Sequence, residues 1–221
     1  MGGDYSIDFW FSIGSTYSYL SVMRLPEVAR MEGLMFRWRP FSVRQIMREM
    51  DNRHLAGKPV KYRYMWRDIE RRAALQGFPA NVPVPHPIAE FDAANRVAIL
   101  GMAEGWGIDY VRETYRRWFQ DRQEPGSDPN LSGSLREVGQ DPARVCAAAA
   151  GEAVGRAYDA ATDEARALGI FGSPTFVVDG AELFWGDDRL EHAISWHRYQ
   201  AVSPPRGDNK ADAWMQSPDL P

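Results

Sequence analysis

The feature that bears hardest on this chain is the placing of its strand signals, which lie at both ends and nowhere between. Residues Asp4 to Phe11 alternate, with Tyr5, Ile7, Phe9 and Phe11 set against Asp4, Ser6 and Asp8, the period of a pleated strand. Leu34 to Pro40 reads as a second strand. The next strand signal is Thr175 to Val178, followed by Asp179-Gly180 and by Ala181 to Trp185. Asp-Gly supplies the positive φ of a tight reversal, so these two runs predict a hairpin. Between the first two strands, Tyr17 to Met31 reads as a helix with Tyr19, Leu20, Met23 and Val28 on its apolar side. Ser15 or Thr16 stands where an N-cap would stand, and Gly33 closes the helix. A helix that returns the chain to a neighbouring parallel strand makes a right-handed βαβ unit.

From Phe41 to about Leu168 the periodicity is helical. Helices are expected at Ile46–Met50, Tyr62–Leu75, Ile88–Glu104, Tyr110–Gln120 and Pro142–Leu168. Asp109 is placed to cap the fourth, and Asp141-Pro142 supplies an N-cap and first helical residue for the fifth. The proline-rich run FPANVPVPHP separates the second from the third. A last helix runs from about Asp187 to His197. The economical reading is an α/β chain with one sheet, interrupted by an all-helical insertion. Residues 1–40 and 169–200 form the sheet domain, 41–168 the insertion, and 201–221 a Pro- and Asp-rich tail.

Composition narrows the function. Net charge is −4, and the arginines between Arg63 and Arg72 are interrupted by Asp68 and Glu70, so a nucleic-acid partner is not expected. Cys146 is the single cysteine, which excludes a disulfide framework or a cysteine-rich zinc site. No apolar run approaches the roughly 20 residues of a membrane span, and no secretory leader is evident. The expected compartment is the cytoplasm. His54, His86, His192 and His197 lack metal spacing, and GxSxG, GxGxxG and P-loop patterns are absent.

Four places carry chemistry. Ser15 lies between a strand end and a helix start, where ligands bind in open α/β sheets; it is either a plain cap or a hydroxyl donor to an anion. Ser173-Pro174 opens the hairpin, either through a cis bond that turns the Ser173 backbone groups outward or as an ordinary trans edge-strand proline. Asp187 and Asp188 are either dipole-favoured residues at a helix start or acceptors for a ligand ammonium. Asn52 and Lys61 flank the loop RHLAGKPV, as surface residues or as ligand contacts.

Taken together these segments resemble the family of 2-hydroxychromene-2-carboxylate isomerases and kappa-class glutathione transferases. DFWFSIGSTYSYL resembles its opening strand and active-site turn, and RPFSVRQIMREMDN the segment after its second strand. KPVKYRYMWRDIERRAALQGFP resembles its helix with the P-x-K-x-x-Y-x-x-x-D pattern, and GIFGSPTFVVDGAELFWGDDRLE its closing cis-proline hairpin. The resemblance covers residues 5 to about 197. It implies a thioredoxin-like fold with a helical insertion, a homodimer, and glutathione as the cofactor. In disulfide oxidoreductases of that fold the redox site is CxxC; here the position reads Ser15-Thr16-Tyr17-Ser18.

The implied roles are residue by residue. Ser15 donates to the glutathione sulfur. Asn52 and Lys61 lie near the bound ligands. Ser173, before Pro174, pairs through its backbone with the cysteinyl unit, and Asp187 and Asp188 hold the γ-glutamyl ammonium. Arg48, Asn52 and Arg53 are the expected contacts of a small aromatic carboxylate. The implied reaction is reversible addition of the thiolate to a conjugated carbon, rotation about the resulting single bond, and release. A transferase or peroxidase, or a non-catalytic peptide-binding module, are the other readings. The chain departs from the family at Thr16, which replaces a proline, at Arg48, which replaces a lysine, and at Asp51, which replaces a glycine. Ser15, Thr16 and, at more distance, Ser18 all remain candidates to meet the sulfur.

Overall fold

A computed structural model describes residues 7–52 and 57–202. Arg53, the tail from 203 and the first residues of the expected opening strand lie outside it. The elements run in the order β1 (Ile7–Phe11), α1 (Ser18–Glu32), β2 (Phe36–Pro40), α2 (Val43–Glu49), α3 (Pro59–Leu75), α4 (Phe91–Glu104) and α5 (Gly107–Asp121). They continue with α6 (Asn130–Glu137), α7 (Pro142–Ala150), α8 (Glu152–Ala167), β3 (Thr175–Val178), β4 (Glu182–Trp185), a 3-10 turn (Asp187–Arg189) and α9 (Leu190–Val202). The four strands form one sheet in the order β2-β1-β3-β4. β1 runs parallel to β2 and antiparallel to β3, and β3 pairs antiparallel with β4. The βαβ unit and the closing hairpin are thus present, with Asp179 and Gly180 both at positive φ in the reversal. No described helix is long and apolar enough to cross a membrane.

β1 is a central strand, and all five of its residues are buried. Its alternation is therefore not a buried face against a wet one. Phe9 and Phe11 pack against Trp38, and Phe9 also stacks on Phe176. On the opposite face Trp10 meets Phe41 edge-on and lies 4.5 Å from the Arg39 guanidinium carbon. Asp8 shares that covered face because Arg37, its register partner on β2, neutralises it through a bond of 2.8 Å from Nε. A buried carboxylate needs such a partner.

Helix ends follow local chemistry with informative exceptions. Asp141 caps α7 by accepting from the N–H groups of Ala143 and Arg144, and Gly33 ends α1 in the left-handed region. α1 begins after Tyr17 with no side-chain cap, so neither Ser15 nor Thr16 plays the capping role. α5 starts at Gly107, which puts Asp109 inside its first turn instead of at its cap. The long helix expected over Pro142–Leu168 is two, because Gly151 is extended (ψ 156°) and ends α7 while its carbonyl starts α8. α6 has no counterpart among the expected helices. Gly133 at its centre leaves room for the Arg117 guanidinium, which a Cβ would meet at 2.6 Å.

The sheet and the helices share one apolar core. Tyr19 of α1 stacks face to face on Phe119 of α5, with centroids 4.1 Å apart and planes 5° apart, and Trp118 abuts the same ring. The helical block is therefore fastened to the helix that follows the candidate site.

Candidate active site

The turn from Ser12 to Thr16 leaves the carboxyl end of β1. It is held by groups from the helical block. Asn95 on α4 accepts from the Ile13 N–H at 2.7 Å and donates to the Ile13 carbonyl at 2.9 Å. Tyr115 on α5 donates its hydroxyl towards the carbonyls of Ser12 (2.9 Å) and Ser15 (3.1 Å). Asn95 and Tyr115 are fully buried, so these bonds are shielded from water and fix the turn. Gly14 adopts φ 113°, and a Cβ there would lie 2.7 Å from the Phe91 ring and 3.2 Å from Ile88. Only glycine supplies both the angle and the clearance.

The Ser173-Pro174 bond is cis, and β3 pairs on both sides, which removes the trans edge-strand alternative. Ser173 is tied to the Ser15 turn from three directions. Its hydroxyl accepts from the Ser12 N–H at 2.9 Å and lies 2.9 Å from the Ser18 hydroxyl. Its carbonyl accepts from the Ser15 hydroxyl at 2.6 Å. Trp185 of β4 lies across Gly172, where a Cβ would run into the indole nitrogen, and packs against Phe171 with centroids 4.9 Å apart.

Of the three candidate hydroxyl residues, Ser15 and Thr16 line the cleft, and Ser15 is the one that is only partly buried. Thr16 is buried and directs its hydroxyl to the Met65 sulfur at 3.2 Å, and Ser18 is fully buried. The Thr16 hydroxyl is thus engaged by Met65 of α3, while the Ser15 hydroxyl is engaged by the Ser173 carbonyl.

Ser15 opens on a cleft of about 1190 Å³ between the turn after β1, the segments flanking β3 and β4, and helices α2 and α3. Arg48, Asn52, Lys61, Ser173, Pro174, Asp187 and Asp188 all line it. Arg53 lies outside the described residues. Asp51 lines the cleft at φ 50°; aspartate tolerates the left-handed region better than most residues, which accounts for its standing where the family has glycine. Cys146, on α7, is not among the cleft residues, and burial pushes its thiol pKa up. Among the described residues no three His, Cys, Asp or Glu side chains are grouped to hold a metal.

The two aspartates part company. The Asp187 side chain has no exposure and accepts from Ser21 (2.9 Å), Arg24 (3.0 Å), Arg72 (2.5 Å) and Gln76 (3.5 Å). Its carboxylate is engaged by the protein's own donors, which leaves Asp188 the more open of the two to a ligand ammonium. Asp188 keeps a half-exposed carboxylate whose protein partner is Arg189 at 3.4 Å.

Several cleft residues carried no signal of their own in the sequence. Arg44 is half-buried, lies 4.1 Å over the Phe91 ring and donates to the Ile88 carbonyl at 2.9 Å; burial lowers its pKa. Tyr17 donates to Asp68 at 3.1 Å, and burial with that carboxylate pushes its phenol pKa well up, so it stays protonated at neutral pH. Tyr62 and His86 form a pair on the cleft wall, one from α3 and one from the proline-rich run. That run was legible as a loop, and only the placing of His86 and Pro87 on the cleft wall reveals it as part of the site.

The chain is similar to known proteins in sequence and in fold. A curated 2-hydroxychromene-2-carboxylate isomerase of Sphingobium xenophagum is 28% identical over 193 residues, 86% of this chain and 97% of the relative. The enzyme of the same name from Pseudomonas putida is 25% identical over 83% of this chain and 90% of its own. A solved structure of a 2-hydroxychromene-2-carboxylate isomerase superposes with a TM-score of 0.78 at 23% identity, covering 96% of this chain and 99% of that one. The family of DSBA-like thioredoxin domains matches residues 6–194, and the chain belongs to that family.

Proposed function

We propose that this chain is a glutathione-dependent isomerase of an aromatic carboxylate of the 2-hydroxychromene-2-carboxylate type, with Ser15 stabilising the glutathione thiolate. The observation that carries the reading is the Ser15–cis-Pro174 cleft, which stands at the thioredoxin-fold redox position and holds a hydroxyl where that chemistry needs a thiol. The curated relatives named above support the reaction class.

The residues present fit a tripeptide thiol. A partly open hydroxyl and the backbone beside a cis-proline suit its sulfur and its peptide groups, the half-exposed Asp188 suits an ammonium, and Lys61 and Arg48 suit carboxylates. A cleft of about 1190 Å³ exceeds the roughly 300–1,000 Å³ of a single small-ligand pocket, which leaves room for an aromatic acid beside the thiol. When bound, glutathione supplies the nucleophilic thiolate.

Ser15 has one proton to give, and it is given to the Ser173 carbonyl. Donating it to a sulfur anion means releasing that carbonyl, which is then available to accept from a ligand amide. Binding of the sulfur and binding of the peptide are in this way one exchange. A free thiol has a pKa near ~8.5 and is only slightly ionised at neutral pH, so a donor that favours the anion raises the reactive fraction. Arg44, Arg48 and Lys61 give the cleft positive charge that suits the carboxylates of both the thiol and the aromatic acid.

The test is calorimetric titration with glutathione, with S-methylglutathione as control, together with turnover of 2-hydroxychromene-2-carboxylate. Binding weakened by the methyl group, and turnover reduced at least about tenfold in Ser15→Ala, are expected for the loss of one charge-assisted hydrogen bond. Absence of binding at millimolar glutathione, or full activity in Ser15→Ala, would sink the reading.

A further inference from the structure

We propose that Arg44 binds the carboxylate of the aromatic substrate and sets the preference of the cleft for an aryl acid. This assignment rests on the proposed function and gives one part of the cleft to one of its two ligands.

α2 faces the cleft with Val43, Arg44, Met47 and Arg48, residues that one side of a helix brings together. The cations of the cleft differ in setting. Arg48 and Lys61 are exposed, whereas Arg44 is half-buried. Its neighbours along the wall, Val43, Met47 and Phe91, are apolar. Its guanidinium is held from two directions. The guanidinium carbon lies 4.1 Å from the centre of the Phe91 ring, and Nη2 donates to the Ile88 carbonyl at 2.9 Å. A group so placed has little freedom left to lose when a ligand binds. One hydrogen bond leaves most of the guanidinium N–H groups for other acceptors.

No group of the protein matches this charge by contact. Among the described residues no carboxylate stands within ion-pair distance of Arg44. Asp92 attracts it from further off and itself receives the Tyr158 hydroxyl at 3.2 Å. Arg72 and Arg189, which also line the cleft, are paired with Asp187 and Asp188. Arg48, one turn along α2, adds like charge, a repulsion that a bound anion relieves. A half-buried cation without a contacting counter-ion is a place for an anion.

The contacts of the Ser15 turn decide which ligand supplies that anion. Ser173 meets the turn at Ser12 and Ser15, and in the proposed function the peptide of the thiol lies along Ser173. Phe91 and Ile88 meet the turn at Gly14, where a Cβ would lie 2.7 Å from the ring. The same two residues hold Arg44, one through its ring and one through its carbonyl. The cation is therefore tied to the turn at Gly14 and not through Ser173, and the carboxylate it takes belongs to the second ligand. An aryl acid suits a cation set among apolar side chains, because its ring and its charge are both matched there. A planar carboxylate can also take two parallel bonds from the guanidinium fork.

The test compares 2-hydroxychromene-2-carboxylate with its primary amide, which keeps the ring and the double bond and lacks the charge. Wild-type kcat/KM is expected to favour the acid by about tenfold or more, the scale of one charged hydrogen bond. In R44Q most of that preference should disappear, through loss on the acid with the amide little changed and with glutathione bound near its wild-type affinity in the calorimeter. R44K should recover part of the preference, because it restores the charge without the fork. Equal losses on acid and amide in R44Q, as from disturbed packing at Phe91, overturn the assignment, and so does an unchanged preference. Weakened glutathione binding with the preference intact overturns it too, and gives Arg44 to a carboxylate of the thiol. A wild type that turns over neither compound overturns the proposed function, and the role of Arg44 falls with it. A wild type that turns over both alike leaves the proposed function standing and removes the role of Arg44.

Discussion

A carboxylate taken out of water needs its charge matched, and Asp187 shows the match being made by three elements at once. Ser21 and Arg24 reach it from α1, Arg72 from α3 and Gln76 from the residue after that helix, and it sits itself in the turn that carries Asp188 to the cleft. Removing one partner of a buried pair costs about 3–5 kcal/mol. Arg72 keeps 23% of its side chain exposed, so the remaining charge is partly solvated and D187N should lower stability by a smaller amount, about 2–3 kcal/mol. Its neighbour should behave in the opposite manner. D188N is expected to leave the urea midpoint within experimental error and to weaken glutathione binding by roughly tenfold, the scale of one charged contact. A D188N protein that is destabilised as much as D187N would refute this division. Nothing in the dipeptide Asp187-Asp188 says which carboxylate faces inward, because the choice is made by donors more than a hundred positions away. Ser15 is the converse case. Its place after a strand marked it as a candidate, but setting it apart from Thr16 required Met65, a residue that only the packing of α3 brings near.

At the scale of elements, what could be read from the chain was what local chemistry controls. The hairpin at Asp179-Gly180, the stop at Gly33 and the cap at Asp141 each rest on a few adjacent residues, and each is where the sequence predicts. The break at Gly151 and the helix α6 were not legible, since an Ala-rich run reads through a glycine and the eight residues of α6 bury only Asn130, Ser134 and Leu135, too few apolar positions for a period. The opening strand was legible as a strand but not as a central one, because its charged position is covered only once Arg37 is beside it. Asp141 offers a clean check on this view. Its side chain satisfies two N–H groups at the start of α7, far along the chain from the cleft residues. Asp141→Ala should cost about 1 kcal/mol, read as a lower urea midpoint at constant m-value, with the KM for substrate unmoved. A shifted KM would mean that α7 is coupled to the cleft through α4 more tightly than its contacts imply.

For the molecule as a whole, buried tyrosines tie the helical block to itself and to the sheet side, and this gives the fold an alkaline limit. Burial pushes the Tyr19 phenol up to about 12 from its ordinary 10.0. Burial raises Tyr17, Tyr110, Tyr115 and Tyr158 further still. A group whose folded pKa is raised binds its proton more tightly in the folded state. Its contribution is whole below the unfolded value and is lost as pH climbs from that value towards the folded one. Stability should therefore stay level until the pH nears the ordinary value of 10.0 and then fall through about 12, with the slope set by several phenols deprotonating together on unfolding. The loss should also reach the site. Tyr115 holds the turn by donating to the carbonyls of Ser12 and Ser15, and a tyrosinate has no proton to donate. Tyrosinate absorbance, the urea midpoint and glutathione binding, followed on one alkaline titration, should break over the same range, as a cooperative unit requires. If glutathione binding disappeared well below the pH at which the buried tyrosines ionise, the thiol subsite would be held by something other than the α5 clamp. If the absorbance rose to its full nine-tyrosine value in a protein still folded, the buried phenols would not be what limits the fold at high pH.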